Sequence, residues 1–240
     1  MNYAVIFAGG TGTRMNSQTC PKQFLKLHGK EIIIYTLEHF QNHPDIDGIS
    51  LVCVDGWIDH LKKIIKKNDI TKVRWISPGG RTGQESIYNG LKAMEGEIHE
   101  DSLVLIHDGV RPLIDEALIS DNIAAAEKFG NAITVVKAYE TVVVMGEDGE
   151  LKENIPRDRC ALARAPQTFR YKDILGEHEQ CRSKGIDNMI DSATMMGAAG
   201  MTLHPVYGKP DNIKITTPMD FYTFKGLIEA KENFQIMGVD

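Results

Sequence analysis

Apolar, β-branched runs alternate with longer amphipathic stretches along most of this 240-residue chain, and that alternation limits the fold more than any other feature. Residues 3–7, 49–54, 73–77, 103–107 and 132–136 read as buried strands. Between them, residues 32–40, 57–67, 84–94 and 114–129 read as helices with one apolar side. Such a rhythm predicts an α/β fold: a Rossmann-like, mostly parallel sheet with helices on both faces. Ligands of such sheets bind at the carboxyl ends of the strands.

The rhythm breaks after Val136. The stretch "ETVVVMGEDGELKENIP" holds a polar turn between two β-capable segments, which predicts a hairpin arm at about 137–160. A projecting hairpin exposes edges that dimerisation would cover, although a solvated excursion with no partner fits the sequence equally. A helix near 171–183, a strand near 201–206 and a last helix from 219 to about 233 complete the chain. With no internal repeat, linker or low-complexity segment, residues 1–240 read as one domain with an arm.

Charge and cysteine usage narrow the function. A net charge of −6 argues against broad nucleic-acid binding, which needs a positive surface, but leaves room for a local basic pocket. Cys20, Cys53, Cys160 and Cys181 are scattered without CxxC or metal-ligand spacing, as expected of free thiols in a reducing compartment. No apolar run approaches the ~20 residues of a membrane helix, and no secretory leader is evident. The expectation is a cytoplasmic protein with no membrane partner.

Four loops carry the polar chemistry. In "FAGGTGTRM" a strand, a glycine-rich turn and a helix start would gather backbone N–H groups at a positive helix terminus, which favours anions. Gly10 and Gly12 fit a G-x-G, yet the full dinucleotide fingerprint and the P-loop lysine are both missing. Arg14 and the Pro21-Lys22 pair place two cations beside this loop, unless each is simple surface charge. In "LVLIHDGVRP" an apolar strand delivers His107 and Asp108 to its carboxyl end. Asp108 suits Mg²⁺, which takes one or two carboxylates and keeps phosphate oxygens and water. His107 reads as a packed or hydrogen-bonded neighbour, and Arg111 is placed to pair with Asp108 or to reach a substrate. In "GKPDNIKITTPMD" Asp211 and Lys214 stand at a turn-to-strand junction, where Lys214 would complete a positive clamp if it faced the same crevice as Arg14 and Lys22. In "SPGGRTGQES" Gly79 and Gly80 permit close backbone approach, and Ser86 is set either to bond a base or to cap its helix. No Ser/His/Asp or Cys/His arrangement is evident, so direct phosphoryl or nucleotidyl transfer is the favoured chemistry.

The ordered set "AGGTGTRM", "PKQF", the glycine pair, "HDGVRP" and "DNIKITTP" resembles the cytidylyltransferases that make CDP-activated sugar alcohols, over nearly the whole chain. The resemblance implies that the phosphate of a polyol phosphate attacks the α-phosphorus of CTP and expels pyrophosphate. It implies that Arg14, Lys22 and Lys214 stabilise the transition state and that Asp108 organises Mg²⁺ with the nucleotide. Ala8, Gly9, Gly10, Thr11, Gly12, Gly80 and Ser86 match nucleotide-binding positions. Asp211 matches a nearby acidic position on the substrate side. Members of the family are homodimers with exchanged arms, in which Thr141 and Arg157 lie where the arms help bind the polyol phosphate. Arg157 would reach the partner subunit's site.

Two branches compete. "AGGTGTRM", "PKQFL" and "GWIDH", with Trp57, resemble the branch that acts on ribitol 5-phosphate and feeds teichoic acid or capsule synthesis. The other branch acts on 2-C-methyl-D-erythritol 4-phosphate in isoprenoid synthesis. Two departures from the family pattern stand out. Arg81 comes early while Gly83 holds a place usually given to arginine, and Ile190-Asp191 stands where Thr-Asp or Ser-Asp is usual. A non-catalytic nucleotide-binding module is the alternative of another class. A Rossmann dehydrogenase is disfavoured by the incomplete glycine fingerprint.

Overall fold

Strand β1 (Asn2–Ala8) is buried on both faces, and its alternation divides the interior. Tyr3 and Val5 point into one core layer, Ala4 and Ile6 into the other. The computed structural model describes residues 1–10 and 20–237. A 3-10 turn at Lys22–Phe24 and the short strands β2 (Lys26–Leu27) and β3 (Lys30–Glu31) lead into helix α1 (Ile32–Asn42). Then follow β4 (Gly48–Cys53), α2 (Ile58–Lys67), β5 (Val73–Pro78), α3 (Gly83–Lys92), β6 (Leu103–Asp108), α4 (Glu116–Phe129) and β7 (Asn131–Lys137). The expected alternation is therefore present, with each boundary within a few residues of its predicted place.

The hairpin β8 (Val142–Met145) and β9 (Leu151–Ile155) forms a separate two-stranded sheet, with Val143, Val144, Met145 and Leu151 exposed. The chain then returns through β10 (Ala161–Arg170), α5 (Tyr171–Ser183), α6 (Ser192–Ala198), β11 (Pro205–Tyr207) and α7 (Pro218–Met237). The main sheet has seven strands in the order β11-β7-β10-β6-β1-β4-β5. Only β10 runs against the others. Helices α1, α2 and α4 cover one face, and α3, α5 and α6 the other. A third cluster seats α7, through Phe224, against Ile32, Leu113 and Ile215.

Three features depart from the sequence reading. Strand β10 and helix α6 were not expected at all. The strand predicted near 201–206 is confined to Pro205–Tyr207. Over the preceding residues the Asn131 side chain replaces a ladder, its Nδ2 donating to Thr202 O (2.9 Å) and its Oδ1 accepting from His204 N (2.9 Å). Among the described residues, no helix is long and apolar enough to cross a membrane.

Strand β1 pairs with β4 on one side and β6 on the other. After β5 the chain crosses back over β1, so the carboxyl ends of β1 and β6 bound the switch point of the sheet, where a crevice is expected. Phe7 lies opposite Asp108 in that register.

Candidate active site

Two glycine turns meet above the carboxyl ends of β1 and β5. Gly79 N donates to Cys53 O (2.7 Å), which brings the β5–α3 turn against Gly9. A Cβ on Gly9 would stand 2.7 Å from Gly79 Cα and 2.9 Å from Ser86 Oγ, so no side chain fits there. Ser86 is buried in α3, where its Oγ accepts from Gly80 N (3.0 Å) and donates to Thr82 O (2.9 Å). Its role is to shape the turn. The helix cap is Thr82, whose Oγ1 accepts from Glu85 N (3.1 Å), so the capping alternative for Ser86 does not hold. Together Ala8, Gly9, Gly10, Gly80 and Ser86 line a cavity of about 330 Å³ beside the N-terminus of α3. Gly79 N and Gly80 N are spent inside the protein, so the N-terminus of α3 is the feature that favours an anion at such a place.

Asp108 is the electrostatic node. Its Oδ1 lies 2.5 Å from Lys214 Nζ, and its Oδ2 accepts from Arg111 Nε (3.2 Å). Burial pushes this carboxyl up, but the charges of Arg111 and Lys214 overcome burial and hold it well below the usual carboxylate range. Arg111 Nη1 also donates to Asn212 O (2.8 Å), fixing the loop that carries Lys214. That loop is extended but unpaired, so Lys214 does not stand at the start of a strand as expected. Ile215 N donates to Val110 O (2.9 Å) and supplies its tie to the sheet. His107 is the packed neighbour anticipated. Burial depresses its pKa to about 3, and Nε2–H of the neutral ring donates to Arg111 O (3.0 Å).

Lys22 approaches from the opposite wall, donating from Nζ to Ile215 O (2.9 Å) and lining the cavity together with Lys214 and Asp108. The structure thus brings together Ala8, Gly9, Gly10, Lys22, Gly80, Ser86, Asp108 and Lys214. Thr11, Gly12 and Arg14 lie outside the described residues. Asp211 is not brought to this cavity. It lines a separate surface hollow with Asp115 and Lys209 and stands 3.8 Å from Lys231. Thr141 and Arg157 lie at the base of the hairpin, outside the cavities of their own chain. There Arg157 Nη1 donates to Tyr139 O (3.0 Å).

Sequence reasoning passed over Gln23, which sits inside the quoted "PKQF". It is 1% exposed, and its Nε2 donates to Ala8 O (2.7 Å) and Gly10 O (3.2 Å), holding the glycine turn from below. A glutamine between a lysine and an aromatic residue was the available signal. Trp57 closes the back of this region by stacking on Phe24, with ring centroids 4.9 Å apart.

A second cavity, of about 250 Å³, adjoins the first and shares Phe7, Gly83, Asp108 and Lys214 with it. Gly83 lies at this junction, and a Cβ there would meet nothing within 4 Å. The space beside Gly83 is open at the place where the family pattern leads one to expect an arginine.

An anion-favouring helix N-terminus on one side, a second chamber on the other and a shared ionic node between them are the site of a nucleotidyltransferase. The family model for 2-C-methyl-D-erythritol 4-phosphate cytidylyltransferase (IspD) matches residues 2–229, and the chain belongs to this family. It is 49% identical to a ribitol-5-phosphate cytidylyltransferase from Vibrio parahaemolyticus, over 99% of this chain and all of that one. It is 36% identical to a 2-C-methyl-D-erythritol 4-phosphate cytidylyltransferase from Clostridium novyi, over 95% of this chain and 96% of that one. Among solved structures, a 4-diphosphocytidyl-2C-methyl-D-erythritol synthase from Anaerococcus prevotii superposes with a TM-score of 0.83 at 29% identity, covering 95% of this chain and 96% of that one.

Proposed function

We propose that this protein transfers a cytidylyl group from CTP to D-ribitol 5-phosphate, giving CDP-ribitol and pyrophosphate. The observation that carries the reading is the pair of cavities joined at Asp108 and Lys214, one suited to a triphosphate and the other open for an acceptor. The preference for ribitol phosphate over methylerythritol phosphate rests on the higher identity to relatives of the former name, 49% against 36%.

The proposed steps draw on the two glycine turns, Lys22 and Lys214. The triphosphate lies along the Gly9–Gly10 and Gly79–Gly80 turns. An oxygen of the acceptor phosphate attacks the α-phosphorus, and the bond from that phosphorus to the bridging oxygen breaks as pyrophosphate leaves. Negative charge gathers on the α-phosphoryl oxygens, where Lys22 and Lys214 stabilise it. Arg14 joins them in this reading.

Magnesium fits the donor set. Asp108 is the carboxylate of this cavity among its described residues, and each of its oxygens takes one contact from a cation, leaving a second lone pair. No group of three or more metal-ligating side chains occurs among the described residues, so the ion would draw its remaining oxygens from phosphates and water. When bound, it supplies charge neutralisation for the triphosphate.

The exposed apolar row on β8 and β9 supports a homodimer through the arm, with Thr141 and Arg157 serving the partner's acceptor. We place the enzyme in the cytoplasm and its product in teichoic acid or capsule synthesis. The assay is pyrophosphate release from CTP and Mg²⁺ with each polyol phosphate. Release with methylerythritol phosphate alone would reverse the branch, and CTP binding without turnover of any polyol phosphate would return the protein to the non-catalytic alternative.

A further inference from the structure

Among the described residues, the second cavity contains one charge left unanswered. Its other ionic groups are engaged: Asp108 by Lys214 and Arg111, and Arg111 also by Asn212 O. Asp191 accepts from Thr194 N (2.8 Å) and from Gln167 Nε2 (2.9 Å). His178 is neutral, its pKa depressed by burial to about 4. Arg164 has no hydrogen bond or ion pair among the described residues, and its Nε is sealed from solvent without a partner. Burial and the nearby Arg111 charge both disfavour its cationic form, which nonetheless persists because guanidinium deprotonates so reluctantly. Arg164 is half-buried with its Nε sealed, and a partly desolvated charge without a counter-ion favours an anion from outside.

The backbone shows how Arg164 comes to be there. On β10 the step from Ala163 to Gln167 faces only the step from Val135 to Ile133 on β7, so the residues between bulge out of the ladder. A bulge next to a site re-aims a side chain that regular pairing would direct elsewhere.

We propose that Arg164 is an acceptor-binding cation of this enzyme, grasping the phosphate of the sugar-alcohol phosphate in the second cavity beside Lys214. The proposal rests on the transferase reading above. A guanidinium offers a planar fork matched to two phosphate oxygens, and Arg111, already bound to Asp108 and Asn212, supports the same anion through its charge.

The test is steady-state kinetics of the full chain with Mg²⁺, comparing wild type with Arg164→Leu and Arg164→Lys. Arg164→Leu should raise KM for ribitol 5-phosphate about 10- to 100-fold, the range of one charge-assisted hydrogen-bonding group, with KM for CTP changed less than about twofold. Arg164→Lys should recover part of the loss, since it keeps the charge and forfeits the fork. An unchanged acceptor KM, or an equal rise in both KM values, would overturn the proposal. A second readout does not depend on the acceptor's identity: calorimetric titration of inorganic phosphate into the CTP-loaded protein. Saturable phosphate binding in wild type that is lost in Arg164→Leu supports the assignment even if ribitol 5-phosphate proves not to be turned over. Equal binding in both proteins rejects it.

Discussion

Gly9 and Gly79 touch backbone to backbone, so closely that a Cβ on either would stand 2.7 Å from the other's Cα. The contact joins the ends of β1 and β5 across the intervening β4 and forms one wall of the glycine-lined cavity. Alanine at either position must push the turns apart. Forcing a methyl into a packed contact costs about 1–3 kcal/mol. We expect Gly79→Ala to lower thermal stability by several degrees and to weaken CTP binding, both measurable on the purified protein. Wild-type melting together with wild-type CTP affinity would refute the close-contact argument.

Lys22 and Lys214 should act on rate more than on binding. Contacts that strengthen only as charge develops govern turnover, and removing one such donor typically costs on the order of 10²–10³ in rate. Lys214→Gln and Lys22→Ala are therefore expected to depress kcat by about that factor while the dissociation constant for CTP changes far less. A variant that raises only KM would assign its lysine to ground-state binding.

Gln23 should behave as a brace. Gln23→Leu keeps the volume but leaves the Ala8 and Gly10 carbonyls without their donor, at a cost of about 1–3 kcal/mol. Because the brace sits under the glycine turn, the loss should be accompanied by a higher KM for CTP and little change in KM for the acceptor. Denaturant melts and kinetics on the same preparation separate the two effects. Equal damage to both KM values would mean that the whole crevice had shifted.

Acid should loosen the fold partly through His178. Its ring is buried beside Tyr88, with neither nitrogen hydrogen-bonded among the described residues, and burial followed by the Arg182 charge lowers its pKa from 6.5 to about 4. Glu85, which pairs with Arg182 at 3.7 Å, is the acidic group on the facing helix. The unfolded chain binds a proton below its ordinary value, while the native ring resists protonation until about 4. Stability from this group is complete above the unfolded value and is lost as pH falls toward the folded one. His178→Phe should flatten the decline in urea stability between about pH 6.5 and about pH 4. His107, displaced in the same direction, keeps the slope from vanishing. An unchanged slope in the variant would remove His178 from the account.

Much of this architecture was legible because parallel strands buried on both faces write themselves as apolar runs, and β1, β4 and β6 are of that kind. Asp108 and Lys22 were found for the same reason: strand ends and glycine turns are local signals. Strand β10 was hidden. "ALARAPQTFR" contains an arginine and a proline, and proline inside a strand pattern argues against a central strand. Pro166 is tolerated because it sits in the bulge between Ala163 and Gln167, where no ladder bond is required of it. Arg164 was missed with its strand. Asp211 shows the opposite failure, since its nearness to Lys214 in sequence did not predict that the two side chains would enter different cavities. Sidedness along an extended loop depends on what packs beneath it, here the Arg111–Asn212 contact.

The junction at Asp108 also bears on how such an enzyme changes over evolutionary time. A substitution at Asp108 or Lys214 reaches both cavities at once. Arg164, on its bulge, borders the second cavity alone, whereas Gly83 borders both. A change at Arg164 can therefore remodel one chamber while the glycine turns of the other keep their shape.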